Sequence, residues 1–213
     1  LRREPTFRDD PMPLPAPAPR QLLHNRSVQC WGYRREDGFW DIEGRLVDTK
    51  TYAFPNEDRG GSIRPGEPLH DIWVRLTVDH RLRIREVEAR TDGSPFGLCP
   101  AIVDRYRKLI GTTIGPGWSL KLKELFAGVK GCTHLTELLG PVATTMLQTV
   151  YGKRYDEDDA KAPEDRPPPP VLNPCHALAS DSPVVKKRWP RAYTGPDQRA
   201  DSKTRPLLDG CIT

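Results

Sequence analysis

His70-Asp71-Ile72-Trp73-Val74-Arg75-Leu76-Thr77-Val78 decides the fold class, together with Leu82-Arg83-Ile84-Arg85-Glu86-Val87-Glu88-Ala89, which follows after Asp79-His80-Arg81. In the first run Ile72, Val74, Leu76 and Val78 recur at every second position. A period of two places alternate side chains on opposite faces of a strand, so this run predicts a half-buried β-strand. The short connection predicts that the second run returns antiparallel to it. Its apolar phase slips between Ile84 and Val87, which fits a β-bulge.

Upstream, residues 28–34 and 39–49 predict two further strands, separated by the turn signal Glu36-Asp37-Gly38. Trp40, Ile42 and Leu46 share one face of the second strand, and Asp41, Glu43 and Arg45 share the other. A long loop from Phe54 to Pro68, rich in glycine, proline and charge, separates the two strand pairs; loops of that length are often functional or mobile. Downstream of Asp92-Gly93-Ser94-Pro95 the period changes. Ile102, Tyr106, Leu109 and Ile110 predict a first helix, with Pro100 in its first turn and Gly111 at its end. Trp118, Leu122, Leu125 and Phe126 predict a second, closed by Gly128. A third starts near Thr133 and carries Leu135, Leu138, Leu139, Val142, Ala143, Met146 and Val150, with Pro141 expected to kink or divide it. Ser182-Pro183 predicts a capped two-turn helix presenting Val185 and Trp189 and stopping at Pro190.

The expected architecture is therefore α+β: a four-stranded antiparallel meander with three helices packed on one face, plus a short C-terminal helix. Trp40, Val74 and Leu138 are its expected buried anchors. The 213 residues suit one domain, placed at residues 27–152. Residues 1–26 form a proline-rich, poorly ordered segment, and Met12 is the expected true start. Residues 153–173 form a charged linker ending in Pro167-Pro168-Pro169-Pro170, and residues 174–213 a segment partly docked on the core.

A net charge of +4 with interspersed signs predicts a mixed solvated surface and argues against a nucleic-acid partner. The basic run Lys186-Lys187-Arg188 lacks the interleaved aromatics that stack on bases. No stretch reaches the ~18 apolar residues of a membrane span. Five scattered cysteines predict a reducing, cytoplasmic setting with thiols as core residues or ligands. Cys30 and Cys211 receive no role.

The chemistry-bearing cluster expected from the sequence is Cys99, Cys132 and His134. Cys99 precedes the first helix in Gly97-Leu98-Cys99-Pro100, and Cys132 precedes the third in Gly131-Cys132-Thr133-His134. A helix N-terminus presents unpaired N–H groups and favours thiolate. Thiolate, imidazole and carboxylate are the ligand set of zinc, and the same set holds iron. Asp92 or the pair Cys175-His176 would complete the coordination. The spacing lacks any Cys-x-x-Cys, and buried structural thiols stand beside the metal reading. His70, Asp71 and Glu137, taken singly, are expected to serve in ion pairs or caps.

Two other function classes stay open. In a cysteine-nucleophile enzyme acting on an acyl or thioester substrate, Cys132 would attack and His134 or His176 would act as base, oriented by Glu137 or Asp92. In a non-catalytic protein-binding module, loop 54–68 and the basic region at Trp189 would contact a partner. A small-molecule ligand or a protein are thus the partners to consider. Gly111-Thr112-Thr113-Ile114-Gly115-Pro116-Gly117 is not followed by Lys-Ser/Thr, which excludes a P-loop. No Gly-x-Ser-x-Gly is present.

His70-Asp71-Ile72-Trp73, Cys99-Pro100, Gly131-Cys132-Thr133-His134-Leu135 and Glu137-Leu138-Leu139 together resemble a bacterial family known only as a domain of unknown function. The resemblance runs from about Met12 to Tyr193 and implies no activity. A looser one, to iron–sulfur-cluster scaffold proteins, implies Cys99, Cys132 and Asp92 as cluster ligands with His134 in place of a third thiol. The usual cysteine spacing of those scaffolds is absent here.

Overall fold

The computed structural model describes residues 14–159, 161–169 and 172–196. Its centre is an antiparallel sheet of β1 (His24–Arg34), β2 (Trp40–Lys50), β5 (Pro68–Val78) and β6 (Ile84–Gly93), lying side by side in that order. The expected four-stranded α+β meander is therefore the architecture. Between β2 and β5, the long loop folds into a small hairpin of β3 (Phe54–Asn56) and β4 (Gly61–Ile63). The hairpin is tied down: Asn56 Nδ2 donates to the Pro95 carbonyl (2.8 Å), and the Gly97 N–H donates to Asp58 (2.7 Å).

Ile42 and Leu46 on β2, Ile72, Val74, Leu76 and Val78 on β5, and Ile84 and Val87 on β6 are buried on one face. The opposite face carries paired charges, Arg45 with Asp71 and Arg75 with Glu43 and Glu88. The phase slip read from the sequence is a bulge: Thr77 pairs with Glu86 and Val78 with Ile84, leaving Arg85 extra. A second irregularity pairs Asp48 with His70 but Thr49 with Pro68.

Helices cover the apolar face. The first expected helix is present at Cys99–Leu109 as a 3-10 helix, with Tyr106 and Leu109, three positions apart, buried. That spacing suits three residues per turn. Helix α1 (Trp118–Phe126) buries Trp118, Leu122 and Phe126. Helix α2 (Thr133–Asp159) continues through Pro141 without division. The proline is the ninth residue of the helix, and the carbonyl that loses its partner belongs to Glu137, an exposed residue. Helix α2 crosses the sheet where two glycines let it approach. A Cβ on Gly44 would lie 2.5 Å from Val142 Cγ2, and one on Gly32 would lie 1.9 Å from Thr149 Oγ1.

Val74 and Leu138 are fully buried as expected, whereas Trp40 is only half-buried at the margin of the core. The Arg34 guanidinium lies over its ring, 5.6 Å from the centroid. A short helix α3 (Pro183–Arg188) is capped by Ser182, whose hydroxyl accepts from the Val185 N–H at 3.2 Å. Val185, Trp189 and Tyr193 form a small second core of their own. No helix among the described residues is long and apolar enough to cross a membrane.

Candidate metal centre

The apolar stripes end in ionisable residues at one end of the sheet. On β2 the inward positions run Ile42, Gly44, Leu46 and then Asp48; on β5 they run Val78, Leu76, Val74, Ile72 and then His70. Asp48 pairs in register with Arg26 on β1 and with His70 on β5, so three ionisable side chains form one row across the sheet. His24 projects from the same side of β1, two residues before Arg26. His134, in the first turn of α2, closes over the row.

Asp48 is 1% exposed and its carboxylate is fully engaged. Oδ1 accepts from Arg26 Nε (2.8 Å) and lies 3.1 Å from His24 Nε2. Oδ2 accepts from Arg26 Nη2 (2.9 Å) and lies 3.0 Å from His70 Nδ1. His134 Nε2 stands 3.9 Å from the same Oδ2, and the rings of His70 and His134 overlap with centroids 3.8 Å apart. Arg26 also reaches Glu137 on α2, Nη1 to Oε2 at 2.8 Å.

Burial opposes ionisation of Asp48, yet hydrogen bonds from Arg26 and His24 hold its carboxyl below the usual carboxylate range. Burial, then the neighbouring His134, push His70 below the ordinary imidazole range, and Asp48 only partly offsets them. Burial and the Arg26 guanidinium do the same to His134. Neutral imidazoles beside a carboxylate have lone pairs to offer a cation.

Among the described residues, the group of three His, Cys, Asp or Glu side chains whose donor atoms lie within 4.8 Å of one another is Asp48, His70 and His134. Of the positions expected from the sequence it contains His134 alone. Cys99, Cys132 and His134 do not form such a group. Cys99 opens the 3-10 helix that packs along β6. Cys132 is fixed through its backbone: its N–H donates to the Tyr106 hydroxyl (2.9 Å), which donates to the Cys132 carbonyl (2.9 Å). The carboxylate of Asp92 is taken by Arg90. Cys175 is exposed, and His176 opens a 3-10 turn in the C-terminal segment. Cys211 lies outside the described residues. Asp71 and Glu137 do serve in ion pairs, with Arg45 and Arg26. Asp48, Arg26 and His24 are not among the residues expected from the sequence. The signal that finds them is phase: Asp48 continues the inward alternation of Ile42 and Leu46.

An α+β sheet with one face roofed by helices and a buried carboxylate–imidazole row at its end defines the class of domain. Residues 24–148, more than half of the chain, match the family described as protein of unknown function (DUF2889), and the chain belongs to that family. The matched span takes in the whole sheet and every residue of the Asp48 row. No curated protein and no solved structure matches the chain.

Proposed function

We propose that this chain binds one divalent transition-metal ion, zinc or iron(II), through Asp48, His70 and His134. The observation that carries the reading is the convergence on one oxygen: Asp48 Oδ2 lies 3.0 Å from His70 Nδ1 and 3.9 Å from His134 Nε2. Donors held ~2.0–2.1 Å from a tetrahedral zinc ion are about 3.3 Å apart, so small side-chain adjustments reach coordination geometry. Two imidazoles and one carboxylate on one side of an ion also form the facial set used by iron(II). Ligation requires neutral imidazoles, and burial biases both rings that way. The side chains of His134, Arg26 and His24 are 26%, 36% and 40% exposed, so the rim of the row is within reach of solvent. Three protein ligands plus water is the arrangement in which zinc activates a water molecule.

The test is elemental analysis and metal titration of the untagged full chain. About one zinc or iron per chain is expected, lost in His70→Ala and His134→Ala and retained in the double variant Cys99→Ala/Cys132→Ala. Wild-type protein that carries neither metal and takes up neither on titration would overturn the reading.

A further inference from the structure

We infer that the metal-loaded site takes an oxyanion, the carboxylate or phosphate group of a small molecule, held between the ion and the guanidinium of Arg26. The inference rests on the metal reading above and adds the class of ligand. Its basis is what Arg26 does without a metal. The guanidinium grips both oxygens of Asp48 with Nε and Nη2, at 2.8 and 2.9 Å, and holds Glu137 with Nη1 at 2.8 Å. It is thus the counter-ion of a carboxylate that is itself 1% exposed.

A divalent ion on Oδ2 takes over that neutralisation. Two cations then share one carboxylate edge, and the cation with somewhere else to go moves. Arg26 has somewhere to go. Its other arm is already on Glu137, which is 53% exposed on α2, so the group pivots toward solvent without leaving the site. The Nε–Nη2 edge that gripped one carboxylate is then turned to the open side, where it is the right shape for another. Charge agrees with shape. Two carboxylates against one guanidinium leave the cluster one negative charge, which a divalent ion converts to one positive charge. An oxyanion that occupies an open metal position and pairs with Arg26 neutralises it.

The experiment loads the full chain with cobalt(II) as a visible reporter and titrates it separately with acetate and with inorganic phosphate. The expected result is a change in the cobalt absorption bands that saturates with at least one of the two anions. The anion that binds more tightly identifies the ligand as carboxylate or phosphate. Arg26→Gln should weaken that binding at least tenfold while retaining cobalt. Arg26→Lys, which keeps a charge but not the fork, should fall between. A cobalt-retaining variant that binds both anions as wild type does, or a cobalt-loaded wild type blind to both, overturns the inference and leaves the metal site standing. Loss of cobalt in both Arg26 variants also overturns it, by making Arg26 a support of Asp48 instead. Failure of the wild type to take up cobalt at all sinks the underlying metal reading.

Discussion

Asp48 and His70 face one another as a registered pair on β2 and β5, and the imidazole Nδ1 stands 3.0 Å from the carboxylate Oδ2. The pair lies one residue from the point where the β2–β5 register shifts, between Asp48 and Thr49. Sheet irregularities of this kind re-aim side chains and are common beside functional sites. Here the shift falls just past the polar row, which is the last regularly paired position of β2 and β5.

Asp48→Asn keeps the size of the side chain and removes the charge on which Arg26, His24 and His70 converge. Three charge-assisted contacts become weak or wrongly polarised, and Glu137 is left as the charged partner of Arg26 in the row. A loss of about 2–4 kcal/mol is expected, below the ~3–5 kcal/mol of a fully buried broken pair because Arg26 is partly hydrated. Urea denaturation of the metal-free protein in chelator measures it. A loss below ~0.5 kcal/mol would mean that the row contributes nothing to folding.

Gly44 is where α2 touches the sheet. Alanine there would place its Cβ 2.5 Å from Val142 Cγ2, closer than carbon atoms pack, and in a tight 3.1 Å contact with Leu138 Cδ1. Gly44→Ala should destabilise by about 1–3 kcal/mol through overpacking. Leu138→Ala, which opens a cavity at the same contact, should cost about 2–5 kcal/mol. Because the two side chains touch, the double variant should cost less than the sum. Additive losses in denaturation would show that α2 does not lie on β2 at this point.

The strands were legible because period two is written directly into residues 70–78 and 40–46, and even the bulge at Arg85 left a phase slip. The site was less so. His70 reads as a histidine at a strand start, and Asp48 reads as a polar residue at a strand end unless the alternation is continued two positions past Leu46. Its register with Arg26 is a long-range property: Arg26 and Asp48 are brought opposite by the turn at 35–39, which local sequence does not reveal. The cysteines have distinctive chemistry in the sequence, yet Cys132 is held at the start of α2 by Tyr106, a contact across 26 residues. Pro141 does not divide α2. A proline in a helix interior removes one hydrogen bond, and here the carbonyl left without its partner belongs to the exposed residue Glu137.

Asp79 contributes to the acid limb of the stability curve. Burial opposes its ionisation, but the N–H groups of Arg83 and Arg81 and the Arg85 guanidinium hold its carboxyl below the usual range. With a folded pKa below the unfolded ~3.9, its contribution is complete above that value and is lost as pH falls through the folded pKa. Asp79→Asn should therefore be less stable than wild type at pH 7, by about 1–3 kcal/mol. The gap should close as the pH falls below the unfolded value. Denaturant titrations of both proteins at pH 7 and in that acid range measure the difference, and a gap that persists unchanged in acid would contradict the assignment.

Zinc should stabilise the folded chain by mass action, because its ligands come from β2, β5 and α2 and are brought together only by folding. At a free concentration one hundred times the dissociation constant, a single site contributes about 2.7 kcal/mol. The melting temperature should rise with zinc and return on adding chelator. His134→Ala separates this site from the thiol alternative. It removes a half-buried ligand at the margin of the sheet, outside the apolar core, so its metal-free stability should stay within about 1 kcal/mol of wild type while its response to zinc falls away. Cys99→Ala/Cys132→Ala should melt higher with zinc by the same increment as wild type. If the cysteine variant loses the response and His134→Ala keeps it, the ion is held by the thiols and the row at Asp48 is a hydrogen-bonded strut at the end of the sheet.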